Sequence, residues 1–141
     1  MIKPNIENPG GANWPIIFAG ISGAGAVFLA AGSAHDLKDW LAAADLERVQ
    51  TAVRYQIWHA LALLGTAALS APAAGGASIW LRIAAYGFAL GSLLFCGGLY
   101  LLSFTGIGIF GWLAPLGGLS FMAGWLALAT YGWRRGTSKN N

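Results

Sequence analysis

Six side chains that could take part in chemistry lie close together in the first half of the chain. They are two imidazoles, two carboxylates, a guanidinium and a phenol: His35, Asp36, Asp39, Arg54, Tyr55 and His59. Carboxylates form salt bridges with guanidinium groups, and an imidazole can exchange a proton near neutral pH or bind a metal ion. The set therefore predicts either a structural ion-pair cluster or a small polar site.

The stretch Asp45–Leu64 must position the second half of this set. Its sequence, DLERVQTAVRYQIWHALALL, begins with charged residues and ends with apolar ones, and no glycine or proline interrupts it. This pattern predicts one helix that starts at an aqueous surface and enters a membrane, with Asp45 as its N-cap. Thr51, Tyr55 and His59 are spaced by four residues, so they share one face of that helix.

Three interpretations of the six residues are open. In the first, Arg54 forms a salt bridge with Asp36 or Asp39, or donates to carbonyls at the end of the preceding helix, and so latches two helix ends together. In the second, Arg54 and His59 line a proton- or ligand-binding pocket open to the outer face of the membrane, where His59 titrates. In the third, His35 and His59 hold a haem or half of a zinc site. We favour the latch and expect no metal or cofactor.

The sequence lacks the patterns of other catalytic and binding classes. Ser33 lies two residues before His35, but residues this close on a helix point apart, so no nucleophile–base–acid set is predicted. The segment GISGAGAV lacks the Lys and Ser/Thr of a phosphate-binding loop. The single cysteine, Cys96, cannot form an intrachain disulfide, and a net charge of +3 is too small for a nucleic-acid-binding face. We expect a protein that is not an enzyme and that binds no nucleic acid.

Composition indicates the elements that carry these residues. Of the 141 residues 57% are apolar and 9% are charged, whereas soluble domains carry about 25% charged residues. We predict an all-α, polytopic membrane protein, a bundle of four transmembrane helices over residues 14–133, with spans at about 14–34, 46–70, 79–104 and 109–133. An irregular N-terminal tail (1–13), a short interfacial helix over 36–44 and a basic C-terminal tail (134–141) complete it. A cleaved signal peptide is the alternative for the first span, whose length favours an anchor.

Small residues predict where the helices pack. Gly20 and Gly23 lie on repeated small-residue spacings in the first span, and Gly87 and Gly91 form a GxxxG pair in the third. These positions should form helix–helix contacts, within the monomer or between copies. In the fourth span, Pro115 should kink the helix or end a first half-helix. The glycines that follow it should admit a partner for the freed carbonyl; they are Gly117 and Gly118.

The distribution of basic residues predicts orientation. With four spans, the termini and the middle loop share one side of the membrane, which carries Lys3, Arg82, Arg134, Arg135 and Lys139. The opposite side carries Lys38, Arg48 and Arg54. Four of the five acidic residues accompany them. Because basic residues are retained in the cytoplasm, both termini are predicted to be cytoplasmic.

Four segments resemble a known family. GAVFLAAGSAHDLK, QTAVRYQIWHALALL, LLFCGGLYLLSFTG and APLGGLSFMAGW are similar, in this order, to the small four-helix inner-membrane proteins of bacteria named domain of unknown function 423. Eukaryotic relatives of that family are named transmembrane protein 256. The resemblance covers about residues 18–126 and implies a multi-pass protein of the bacterial inner membrane without implying an activity. The matched motif positions are Arg54, Tyr55, His59, Pro115, Gly117 and Gly118.

Three functions are compatible with the sequence. The first is a structural or accessory protein in the lipid bilayer that packs laterally, either as a homo-oligomer or as a subunit of a larger membrane complex. The second is a small transporter or a ligand- or proton-binding membrane protein that uses an outward-facing pocket between Arg54 and His59. The third is a haem or quinone redox protein. The glycine-rich helix faces and the absence of a catalytic set favour the first.

Overall fold

The computed structural model describes residues 14–34, 37–71 and 78–137, and nearly all of them are helical. In chain order the elements are α1 (Trp14–Ala34), α2 (Leu37–Trp40), α3 (Ala43–Leu69), α4 (Ile79–Gly91), a π-helical turn (Ser92–Cys96), α5 (Gly97–Thr105), a 3₁₀ helix (Gly108–Trp112) and α6 (Leu113–Thr137). The all-α prediction is confirmed for these residues. The predicted tails lie mainly outside them.

Three helical segments in the described residues are long and apolar enough to cross a bilayer: Trp14–Ala34, Ile79–Thr105 and Gly108–Thr137. Large apolar side chains project from all three into the surroundings, among them Ile21, Phe28, Leu93 and Leu126. An apolar surface of this extent is stable next to lipid chains rather than water. The predicted membrane class therefore agrees with the structure. α3 is not in this set, since charged residues occupy its first half.

The beginning of α3 differs from the prediction. The helix starts at Ala43, three residues before the predicted start, and its N-cap is Ala42, which makes no side-chain capping bond. Asp45 lies inside the first turn, and its carboxylate accepts a hydrogen bond from Arg48. An acid in the first turn still stabilises the positive end of the helix, so Asp45 acts there as a charge and ion-pair partner instead of a cap. The predicted interfacial helix over 36–44 is reduced to the single turn α2, because α3 takes its last two residues.

α4 and α5 form one continuous helix with a π turn between them. Ser78 caps its start, where the side chain accepts a hydrogen bond from the Trp80 amide at 3.3 Å. The helix ends at Gly106, whose φ of +68° is a left-handed conformation that glycine adopts without strain. The sequence did not predict the π turn, because no proline marks it.

Pro115 does not break α6. It is the third residue of that helix, and the preceding residues form the 3₁₀ helix Gly108–Trp112. A proline in the first turn removes an amide that would have no helical partner, so it leaves the α-helix straight and disfavours only its extension backwards. Of the two predicted effects, Pro115 does not interrupt α6, whereas the 3₁₀ segment that ends at Trp112 corresponds to the alternative of a first half-helix that ends near Pro115. The described helix also continues to Thr137, four residues beyond the predicted end.

Glycines allow α4–α5 to pack closely against α6. A Cβ on Gly87 would lie 2.9 Å from the Gly124 Cα, and one on Gly91 would overlap the Phe121 ring. One on Gly117 would overlap the backbone of Phe95, in the π turn. The residue numbers rise on one helix as they fall on the other, so the helices are antiparallel. Backbone approach at this distance maximises dispersion contacts, which hold helices together where no hydrophobic effect acts.

α1 packs against α3 through small residues on one of its faces. Ala19, Ser22 and Ala26 are buried in this contact. Gly20 and Gly23 point elsewhere: no atom outside their own helical neighbourhood lies within 4 Å of a Cβ built on either. Gly118 on α6 is equally open. These three glycines therefore make no close helix contact within the described monomer.

Adjacent glycines on α6 give a direct test of this packing. Gly117→Ala should lower the free energy of unfolding by about 1–3 kcal/mol, because the new methyl group meets the Phe95 backbone, which cannot move aside as a flexible side chain would. Gly118→Ala should leave stability unchanged or raise it by up to about 1 kcal/mol, because it gains helix propensity without a clash. Unfolding in mixed detergent micelles, followed by circular dichroism, measures both. Equal destabilisation by Gly117→Ala and Gly118→Ala would contradict the close packing of α4–α5 against α6.

Candidate functional site

Gln56 is the polar residue that connects most helices in the described structure. Its side-chain amide donates to the Ser22 carbonyl of α1 at 2.7 Å, and its Oε1 accepts from the Tyr100 hydroxyl of α5 at 2.7 Å. Both polar ends of the side chain are therefore bonded to other helices. A polar group without a partner in an apolar interior costs about 1–3 kcal/mol in protein mutational data. This bridge fixes the lateral position and the register of three helices.

His59 lies one turn further along α3 and is 5% exposed. Its Nδ1 lies 2.7 Å from the Tyr55 carbonyl oxygen, and the indole N–H of Trp125 on α6 lies 3.2 Å from its Nε2. A carbonyl only accepts and an indole only donates, so the hydrogen must reside on Nδ1 and Nε2 must accept. The ring is thus neutral, in one tautomer, with both nitrogens bonded.

Aromatic rings enclose this imidazole. Phe121 stacks on it with ring centroids 3.4 Å apart and an interplanar angle of 12°, and the Phe88 ring lies 5.7 Å away. Tyr55 packs on Phe95 at 4.6 Å and extends the cluster towards the π turn. Stacked rings leave little space for a ligand beside His59. The arrangement is that of a packed core with two satisfied hydrogen bonds.

Arg54 lies on the other side of α3. Five residues separate it from His59, which places the two side chains about 140° apart around the helix. The Arg54 side chain is exposed, and it donates to the Thr51 hydroxyl at 3.1 Å. The structure therefore does not bring Arg54 and His59 into one pocket.

The structure does not show the predicted latch between Arg54 and Asp39. Asp39 is exposed on α2, and among the described residues the salt bridge is the one between Arg48 and Asp45. Arg54 and Asp39 do not pair, and Arg54 donates instead to Thr51 on its own helix. His35 and Asp36 lie outside the described residues, so the other form of the latch and the two-histidine haem or zinc site remain predictions. Residues 14–34, 37–71 and 78–137 contain no group of three His, Cys, Asp or Glu side chains that could hold a metal.

Several residues of this network escaped sequence reasoning. Gln56 was available as a signal, since an amide inside an apolar helix requires partners on other helices. Its spacing of three from His59 puts both on one face. The partners Tyr100, Phe121 and Trp125 gave no signal, because aromatic residues are common in membrane helices and the sequence does not show which way each points.

Among the described residues, one buried polar side chain makes no hydrogen bond. Ser103 on α5 is 6% exposed, and its hydroxyl makes no hydrogen bond within the described structure. Cys96, in the π turn, is also buried and free. The hydrogen bonds that the structure describes in the interior join helices to one another.

Sequence comparisons place the chain among bacterial membrane proteins. A family profile described as "Protein of unknown function (DUF423)" matches residues 29–118. The UPF0382 inner membrane protein YgdD of Escherichia coli (strain K12) is 39% identical over 110 residues, which cover 78% of this chain and 82% of that protein. The UPF0382 membrane protein YwdK of Bacillus subtilis (strain 168) is 37% identical over 117 residues, covering 80% and 90%. No solved structure matches the chain.

The Gln56 bridge can be tested against a second glutamine on the same helix. Gln56→Leu should lower the free energy of unfolding by about 1–2 kcal/mol, since interhelical hydrogen bonds in membranes contribute about 0.6 kcal/mol each on average and up to about 1.7. Tyr100→Phe should lower it by less, because one of the two bonds survives. Gln50→Leu is the control, since Gln50 is exposed. Detergent unfolding monitored by tryptophan fluorescence gives all three values, and an equal loss in Gln50→Leu would contradict the bridge.

Proposed function

We propose that this chain, which belongs to the family described as Protein of unknown function (DUF423), is a structural or accessory protein of the bacterial inner membrane. In this proposal it has no enzymatic activity and packs laterally with copies of itself or with a larger complex. The chain is an integral membrane protein: the names of its relatives describe them as membrane proteins, and three of its helical segments are long and apolar enough to cross a bilayer.

The observation that carries the proposal is the contrast between two glycine pairs. Gly87 and Gly91 admit α6, whereas Gly20 and Gly23 on α1 face open space at the surface of the protein. Small residues let another helix approach closely, and the main helix neighbour of α1 in the described structure is α3, which covers the side with Ala19, Ser22 and Ala26. We assign the open side of α1 as the lateral contact. The bonded interior around Gln56 and His59 supports a structural role, because no substrate can enter there without displacing those bonds.

A transporter using an Arg54–His59 pocket is less well supported. The two side chains lie on different sides of α3, and His59 is enclosed by aromatic rings. The haem version meets a similar obstacle, because both nitrogens of His59 already have hydrogen-bond partners. These observations favour a structural role for the inward face of α3.

The lateral contact predicts a variant-specific loss of association. Gly23→Leu should reduce homo-oligomer formation or co-purification of a partner by about tenfold or more, because the larger side chain separates the helices. Gly118→Leu is the matched control, since Gly118 is equally open on α6. Chemical cross-linking in native membranes, with mass spectrometry of the products, provides the readout. Wild-type protein that gives only monomer would refute the proposal, and so would equal loss in both variants.

We also propose that α3 is a fourth span and that α2 lies at the membrane surface. α3 runs antiparallel to α1, and the Gln56–Ser22 hydrogen bond pairs the middle of one with the middle of the other. A helix paired in this way shares the depth of its neighbour. Trp40 on α2 is 85% exposed, as expected for an indole at the headgroup level. Both termini are then cytoplasmic, by the distribution of basic residues.

Cysteine labelling separates four spans from three. In a Cys96→Ala background, Lys38→Cys should react with a membrane-impermeant maleimide on intact cells, and Thr137→Cys should react only after lysis, since an even number of spans returns the chain to the cytoplasm. With three spans, Lys38 and Thr137 would both be accessible from outside if the N-terminus is cytoplasmic. Labelling of Thr137→Cys on intact cells would therefore contradict the four-span topology.

A further inference from the structure

A continuous row of exposed residues runs along α3 on the side opposite its core contacts. We call it the exposed α3 face, and it consists of Glu47, Gln50, Arg54, Trp58, Leu61 and Gly65. The spacing of three or four residues places them on one side of the helix. The N-terminal part of this face, Glu47 and Gln50, is polar, and its C-terminal part, from Trp58 to Gly65, is apolar. Arg54 lies at the boundary between the two parts.

The Arg54 guanidinium is displaced towards the N-terminal end of α3. It donates to Thr51, three residues earlier, so the charge lies about 4.5 Å nearer that end than its own Cα, at about 1.5 Å per residue. Arg48 lies three residues before Thr51, which is about 4.5 Å closer still to the N-terminal end of α3. Its partner Asp45 marks the charged end of the helix. The charge therefore lies about one helical turn below the charged end of α3. Local bilayer thinning brings headgroups to an arginine at such a depth.

This part of the face presents hydrogen-bond donors. A guanidinium has five N–H donors and no acceptor, and the Trp58 indole has one donor. Trp58 is 55% exposed, four residues below Arg54. The acid on the same face, Glu47, lies seven residues from Arg54, about 10.5 Å along the helix. Among the described residues Arg54 has no carboxylate partner within salt-bridge distance. Such a surface is complementary to an anion, and a guanidinium binds phosphate in a bidentate manner.

We propose that the exposed α3 face binds an anionic phospholipid from the leaflet on the α2 side of the membrane. Arg54 holds the phosphate, and an acyl chain lies along Trp58, Leu61 and Gly65. Gly65 has open space around it, and Trp58 and Leu61 are 55% and 62% exposed, so this part of the face is apolar and accessible to an acyl chain. The position of the guanidinium, one turn below the surface charges, favours a headgroup over a carboxylate on a neighbouring helix. Such a carboxylate would itself have to be desolvated at this depth.

Native mass spectrometry with defined lipids tests this proposal. Full-length protein in a mild detergent is titrated with phosphatidylglycerol or with phosphatidylcholine. The wild type should bind phosphatidylglycerol more tightly, and Arg54→Gln should raise its Kd by about tenfold, the effect expected for losing a charge-assisted hydrogen bond. The Kd of Arg54→Lys should lie between those of the wild type and Arg54→Gln, because lysine keeps the positive charge and loses the bidentate hydrogen bonding of the guanidinium. Arg82→Gln, at an exposed arginine near the start of α4, should bind like the wild type.

Each outcome decides the proposal. Equal phosphatidylglycerol affinity in the wild type and Arg54→Gln would overturn it, and so would an equal loss in Arg82→Gln. If Arg54→Gln retains its lipid affinity but loses a protein that co-purifies with the wild type, the face belongs to a partner helix instead. If the Arg54 variants fail to fold, the wild type alone is informative: phosphatidylglycerol must raise its unfolding temperature more than phosphatidylcholine does, and equal shifts would overturn the proposal.

Discussion

The structure depends on the requirement that a polar group inside a membrane protein find its partner within the protein. Gln56 meets this requirement across three helices, through the Ser22 carbonyl and the Tyr100 hydroxyl. Apolar contacts alone tolerate many rotations and translations of smooth helices. Two hydrogen bonds at opposite ends of one amide tolerate very few. The bridge therefore selects one arrangement of α1, α3 and α5, and the small residues of the contacts then allow those helices to approach.

α3 serves two environments with one sequence. Its inner side carries Gln56 and His59, whose polar atoms are bonded to neighbouring helices. Its outer side carries Arg54 and Trp58, which face the surroundings. The motif RYQxxH thus combines residues that act in different directions, although they are consecutive in sequence. Residues in one motif need not share a site when a helix separates them by its rotation.

The sequence was sufficient to predict the helices and their membrane class, because apolar length and charge depletion are properties of each segment by itself. It could not predict which faces meet. Gly20 and Gly23 have a small-residue context similar to that of Gly87 and Gly91, yet only the second pair contacts another helix. Contact depends on the direction of each helix relative to the others, and the Gln56 bridge sets that direction. The sequence also left two effects of Pro115 open, because the effect depends on where the α-helix begins, and the 3₁₀ helix before it sets that point.

The hydrogen bonds of α3 also imply an order of assembly during translation. Ser22 is synthesised before Gln56, so the side-chain amide can bond to its α1 partner as soon as α1 and α3 have packed together. Tyr100 follows later and completes the other end of the side chain. His59 has only the carbonyl of its own helix until Trp125, on the last helix, leaves the ribosome. The imidazole is therefore among the last of these polar groups to gain its partner, and its bond to Trp125 forms only when α6 packs against α3.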